Sequence, residues 1–311
     1  MKIKSVVATT HVDKHNTRIT KEALEEMAQD LKNSGKVPAF NIEHDSILPP
    51  IGKVIDGWVE KREDGEFQFI TISEIFEKKT EIRLPDNSLA YIEASETDDR
   101  PFSLPETEEI FREPKIYVDL ANFPNEKEYE KFKNEIKEVG KFKDEIIGRK
   151  SFIPDPEIII TITQYVMGSA IGNKIFEKLT DRVADDVSTT TYEVIKKAVT
   201  SIANYAIPKS RPITYIFLIP GEINIELAIR TNNPKLAINA ISQDKINDVL
   251  EKVESYLDIL DISKIQFLYD TEEEWQFNFL LTKKGEVIGA PISHKKRAKK
   301  IELLGFKDFK E

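Results

Sequence analysis

The sequence predicts an α+β fold: a mixed or antiparallel, barrel-like sheet first, a helical hairpin next, and a small β-β-α-β-β unit last. Three observations lead to it. The first 75 residues read strand, helix, strand, hairpin, joined by short connections. The middle of the chain holds two apolar stretches, one with a Gly168/Gly172 pair and one opened by a Ser/Thr cluster, which together read as a helical hairpin. From Pro212 the apolar period switches to two, with one amphipathic helix between two strand pairs. Because single cores rarely grow past roughly 250 to 300 residues, a chain of 311 is expected to divide. The expected units are 1–147, a linker and helical hairpin over 148–208, and 209–311, the linker starting at "GRKSFIPDP".

Each element has a local reason. Residues 3–10 are rich in Val and Thr and suit a strand. Thr20 is placed to cap a helix whose Ala23, Leu24, Met27, Ala28 and Leu31 share one face and which stops at Asn33-Ser34-Gly35. "VPAFNIEH" reads as a short strand carrying His44 to its end, and the Pro49-Pro50 loop after it cannot join a central ladder. Asp64-Gly65 then separates two strands as a hairpin turn. Leu89–Ala94 and Lys115–Leu120 read as further strands, and Tyr129, Phe132 and Ile136 mark a helix face after Asn125. In the last third, "ITYIFLIPG" and "INIELAIRT" flank Pro220-Gly221, a helix follows Ser242, and "KIQFLYD" pairs with "WQFNFLLT". Trp275, Phe277 and Phe279 alternate and so are expected to face one side, as core rather than as an aromatic ligand platform.

Composition excludes several functions. An apolar fraction of 40% with 32% charged residues describes a folded globular chain. A net charge of −10 argues against nucleic-acid binding over the whole surface. Basic character is confined to "HKKRAKK" from His294 to Lys300, read as a solvated helix start, with contact to an acidic partner as the alternative. With no cysteine, disulfides, thiolate nucleophiles and Cys-based zinc sites are excluded, and a cytoplasmic setting is expected. The N-terminus lacks the apolar core of a signal peptide. Ile158–Phe176 falls short of the roughly 20 apolar residues a membrane span needs and is read as a buried or partner-packed helix. Its Gly168-Ser169-Ala170-Gly172 surface is the expected face for homo-oligomer formation.

The four histidines are His11, His15, His44 and His294. His11 and His15 lie in a strand and turn, where a four-residue spacing does not converge two rings on a metal, so neither a metal nor a cofactor is expected. His44 stands beside Asp45 ahead of a loop, where a general base can be held and oriented. Without cysteine its nucleophile would be Ser or Thr.

The run "ATTHVDKHNTRITKEALEEMAQDL…VPAFNIEHDSILPPIGKV…DGEFQF" resembles the N-terminal half of tailed-phage prohead proteases, capsid-maturation serine proteases related in fold to the herpesvirus assemblins. The matching residues are Asp13, Thr20, Glu22, Ala23, Leu24, His44, Asp45, Pro50, Ile51 and Gly52, within a run that covers about a quarter of the chain. The resemblance implies a protease-like N-terminal domain with His44 as catalytic histidine. The family's Ser-x-Gly-aromatic motif is absent, which leaves Ser95 and Ser103 as positional candidates for the nucleophile and Asp119 for the acid. Two functions follow from it. One is a serine endopeptidase, in which Ser103 or Ser95 attacks a peptide carbonyl with His44 as base. The other is a protease-like but inactive protein that binds or assembles through its C-terminal domain. Either way the expected partner is a protein, not nucleic acid or membrane.

Overall fold

The computed structural model describes residues 1–12, 18–104, 113–146, 155–167, 189–257 and 260–304. Two sheets and a set of helices make an α+β architecture that includes a curled half-barrel antiparallel sheet. The smaller sheet has the order β1-β4-β3-β2, all antiparallel, from β1 (Lys2–Thr9), β2 (Ala39–Phe40), β3 (Gly52–Lys61) and β4 (Phe67–Ile75). Helix α1 (Lys21–Asn33) packs on it. As expected from sequence, the Thr20 hydroxyl accepts the Ala23 N–H at 3.2 Å, and Gly65 takes φ +90 in the β3–β4 turn. Close packing of α1 on β3 needs Gly57, because a Cβ there would stand 2.8 Å from the Phe69 ring and 3.0 Å from Leu31.

The larger sheet has ten strands in the order β5-β6-β14-β13-β12-β11-β10-β9-β7-β8. They are β5 (Lys79–Arg83), β6 (Leu89–Glu93), β7 (Lys115–Val118), β8 (Lys143–Ile146), β9 (Glu157–Thr161), β10 (Ile213–Ile219), β11 (Asn224–Thr231), β12 (Ile262–Tyr269), β13 (Trp275–Thr282) and β14 (Val287–Gly289). Pairing is mixed: β7–β8, β9–β10 and β11–β12 are parallel, and the other pairs are antiparallel.

One face of this sheet carries the main core. Ile158 and Ile160, Tyr215 and Phe217, and Ile225 and Leu227 project into a single buried cluster. Helices α2 (Glu126–Lys137), α4 (Thr189–Tyr205), α5 (Pro234–Ala240) and α6 (Gln243–Leu257) cover it, while α3 (Thr163–Met167) follows β9. Strand alternation sends the intervening residues to the opposite face: Glu157, Thr214, Glu226, Arg230 and Gln266, with Ile216 and Ala228 among them. That face is polar yet largely covered, and α7 (Pro291–Leu303) lies on its side.

Several expectations are corrected. A division at 147 does not separate two sheets, since strands on both sides of it interleave: β6 pairs with β14, and β7 with β9. Ile158–Thr161 opens the segment read as a helix but is strand β9, because a short β-branched run between two strands is buried on both faces. The Gly168-Ser169-Ala170-Gly172 surface lies outside the described residues, as do Asp13 and His15. The strand before His44 stops at Phe40. Strand β5 lies in a stretch whose sequence gives no strand signal. Trp275, Phe277 and Phe279 do not share one side: Gln266 opposes Phe279 while Phe267 opposes Phe277, so Asn278 is an extra residue. This bulge sends Phe279 to a cluster with Phe102, Leu281 and Val287, while Trp275 and Phe277 join the helix-side core. Finally, the basic run is only half solvated, because His294 and Arg297 are buried.

If the interleaved sheet makes one folding unit, neither half stands alone. Cut from the rest, 1–147 leaves Ala90, Ile116 and Val118, each at most 1% exposed, without β14 and β9. The fragment 1–147 is expected to show no cooperative urea transition by circular dichroism, and an independent sigmoidal transition would refute this.

Candidate functional site

Residues 45–50, the stretch that joins the His-Asp pair to the Pro-Ile-Gly turn, run as a strap across the polar face of the large sheet. Asp45 accepts two bonds from the Arg230 guanidinium on β11, at 2.6 and 3.1 Å, and Arg230 Nε donates to Thr214 on β10 at 2.9 Å. The Ser46 hydroxyl donates to Glu157 on β9, and the Ser46 carbonyl accepts from Gln266 on β12 at 2.9 Å. Next, the Ile47 carbonyl accepts from the Asn278 amide on β13 at 2.8 Å, and Asn278 also donates to Gln266 at 2.6 Å. The Pro50 carbonyl ends the strap by accepting from Arg297 of α7 at 2.8 Å. Between these polar anchors the Ile47 side chain packs on Ile216 and Ala228.

The local sequence suits the task. Pro49 and Pro50 have no N–H to leave orphaned on a sheet face. Glu43 and His44 turn the chain with φ of +48 and +57, a left-handed pair that costs non-glycine residues about 1–2 kcal/mol each. Burial of Ile47 contributes about 2 kcal/mol, and a typical satisfied hydrogen bond about 1 kcal/mol. The larger effect is on the sheet: without the strap, Gln266 and Asn278, both at most 1% exposed, would lose acceptors, at about 1–3 kcal/mol per stranded group.

Beneath the strap's end is a buried charged cluster. Arg297 makes a two-pronged pair with Glu93 of β6 at 2.6 and 2.7 Å, both side chains 6% exposed. His294, one helical turn earlier, lies edge-on to Tyr91 and 3.7 Å from Glu93. It sits directly over Gly289, where a Cβ would come within 2.7 Å of its Nε2. Neither ring nitrogen completes a hydrogen bond among the described residues. Burial first, then the charges of Arg297 and Lys79, push its pKa down to about 3.

Each candidate catalytic residue has a local structural setting of its own. His44 is exposed at the apex of the turn leading into the strap, not at a strand end. The Ser95 hydroxyl accepts the Asp98 and Thr97 N–H groups at 2.9 and 3.3 Å in the loop after β6. Burial works to raise the Glu74 carboxyl, but bonds from the Thr97 and Ser95 hydroxyls and two backbone N–H groups hold it below the usual range. Ser103 is exposed, and its N–H donates to the Val37 carbonyl at 2.7 Å. Asp119 is buried at the end of β7, where it caps the 3-10 turn Leu120–Asn122 through the Ala121 N–H at 2.8 Å. Along the sheet, β6 and β7 are seven strand spacings apart, about 34 Å, so Asp119 does not meet Ser95. Neither serine hydroxyl bonds to a histidine among the described residues.

What sequence reasoning missed is the set of partners of the strap: Arg230, Gln266, Asn278, Arg297 and Glu93. For the strand residues the trace in the sequence is a polar residue within an otherwise apolar strand, while Arg297 lies on α7 within the basic run. His11 bonds to Asp64 at 3.1 Å on the surface. Among the described residues, no group of three or more His, Asp and Glu side chains is placed to hold a metal ion, and no helix is long and apolar enough to cross a membrane.

Two predictions follow from the cluster and the strap. Arg230→Ala leaves Asp45, 7% exposed, without its cation, and is expected to cost about 3–5 kcal/mol in urea unfolding, whereas Asp45→Ala, which leaves the more exposed Arg230, costs less. His294 takes up a proton on unfolding between pH about 3 and the unfolded value of about 6.5. Its contribution is therefore whole above that window and is lost on acidification, by up to about 1.4 kcal/mol per pH unit. His294→Gln is expected to flatten the stability–pH curve there by nearly one proton; an unchanged slope would contradict it. Comparison with protein-family models, curated proteins and solved structures finds no match.

Proposed function

We propose that the chain is a non-catalytic binding and assembly module in which the His-Asp loop is a structural fastening, rather than a serine endopeptidase. The observation that carries this reading is the Asp45–Arg230 pair. The carboxylate beside His44, the most specific part of the protease resemblance, is engaged by a guanidinium 185 residues away and holds the strap to the sheet. Asp119, the candidate for the orienting acid, which in a hydrolytic triad would bond the imidazole, instead caps a 3-10 turn.

The other candidates support the same reading. Ser95 staples its own turn, Ser103 stands on the surface beside the Val37–Phe102 bridge, and Asp119 caps a helical turn. A protease-like scaffold can keep turn and helix signals without chemistry. The partner under this proposal is a protein, met by the large-sheet half of the chain. The same proposal puts the chain in the cytoplasm, on the strength of its cysteine-free sequence.

The test is stoichiometric labelling with a serine-reactive phosphonate followed by mass mapping. No labelling at Ser95 or Ser103 is expected, and His44→Ala should leave the chain folded with no change in self-cleavage on storage. Labelling that disappears both in His44→Ala and in one serine variant would overturn the proposal in favour of the endopeptidase.

A further inference from the structure

We propose that copies of this chain associate head to tail, the basic outer stripe of α7 on one copy seating in the acidic groove between α6 and the β12–β13 turn of the next. This deepens the binding-module reading and rests on it. The inner side of α7 is fixed by the Arg297–Glu93 pair and by Ile301, so the direction of the outer side is fixed too. That outer side shows Ile292, Lys295, Lys296, Lys299 and Leu303 in a line about 16 Å long. Ile292 and Leu303 are 55% and 74% exposed, unusual for aliphatic residues flanking a charged row. Lys300 pairs with Glu43, but Lys295, Lys296 and Lys299 have no ion pair among the described residues.

The groove is the electrical opposite. A cavity of about 530 Å³ is lined by Asp248, Glu251, Glu273 and Glu274 together with Lys245 and Lys252. Both lysine heads turn to the backbone, Lys245 to the Glu273 carbonyl and Lys252 to that of Trp275 at 2.8 Å. None of the four carboxylates has an ion pair among the described residues. An unpaired cationic stripe and an unpaired anionic groove thus coexist on a chain of net charge −10. Because they lie on different elements, the contact between copies is heterologous, and it propagates unless its rotation closes a ring.

Other occupants fit less well. Three lysines in so acidic a chain are few for a phosphate backbone. A membrane-surface helix needs a broad apolar face, and here the face opposite the lysines is already buried in the protein.

The test is sedimentation equilibrium of the full chain at low salt, where the expected result is a mass that rises with concentration and falls back to one chain at 0.5 M NaCl. Lys295→Glu with Lys296→Glu and Lys299→Glu should weaken association at least tenfold, and so should Asp248→Lys with Glu251→Lys and Glu274→Lys. Mixing the two triple variants should restore it, since each supplies the charge the other lacks. If a charge-reversed triple fails to fold by circular dichroism, the corresponding Gln triple replaces it with the same expectation. A monomer at every concentration, association indifferent to both triples, or a mixture that stays monomeric would overturn the proposal. So would a wild-type monomer whose stripe instead binds phosphatidylserine vesicles, poly(U) or a polyglutamate peptide. A monomer without phosphonate labelling removes only this contact, whereas labelling removes the binding-module reading itself.

Discussion

The Asp45–Arg230 ion pair is the interaction on which the arrangement of the two sheets turns. A ten-stranded sheet with helices on one face has a second face to satisfy, and here that face carries carboxylates, amides and a guanidinium beside a small apolar patch. Buried polar atoms must find partners, and the sheet cannot supply them from its own ladders. A six-residue segment from the other end of the chain does so, with its carbonyls, one hydroxyl and one carboxylate laid over β9 to β13. The pair at its start sets the register, because a one-residue slip would present the wrong carbonyls to Gln266 and Asn278.

Continuity of this network gives the polar face its order. Lys264 bonds Glu226, which accepts from Gln266; Gln266 accepts from Asn278, and the Ser293 hydroxyl joins Asn278 to the start of α7. Every link but the last lies on a neighbouring strand, so the amides are held in one orientation by what they touch. The bulge that adds Asn278 to β13 is what brings its amide within reach of the strap, and it also moves Phe279 across the sheet.

What could be read from the sequence was what short-range physics decides. The Thr20 cap, the Asp64-Gly65 turn, the Tyr129–Phe132–Ile136 face and the two strand pairs after Pro212 depend on residues a few positions apart and are found, whereas α5 between those pairs and β14 after them are not expected from the sequence. Two failures had the opposite cause. The Ile158–Thr161 run has no period to separate strand from helix, and its neighbours in the sheet decide it. Phe279 was misplaced because one inserted residue is invisible to an alternation rule. The site was least legible: His44 and Asp45 could be picked out, but the meaning of Asp45 depends on Arg230, and that of Pro50 on Arg297, at separations no local pattern reaches.

The placement of β6 between β5 and β14 also bears on how the chain acquires its fold. Its hairpin partner β5 precedes it directly, but Tyr91 finds Gly289 only after roughly two hundred more residues have been made, some 10 to 40 s of synthesis. During that interval one edge of β6 is unpaired, and Glu93 waits for Arg297 from a helix still inside the ribosome. High separation between partners slows closure of a sheet. In the finished sheet β5 is the terminal strand, and its charged residues Lys79, Glu81 and Arg83 stand along that edge, where they oppose pairing with another chain.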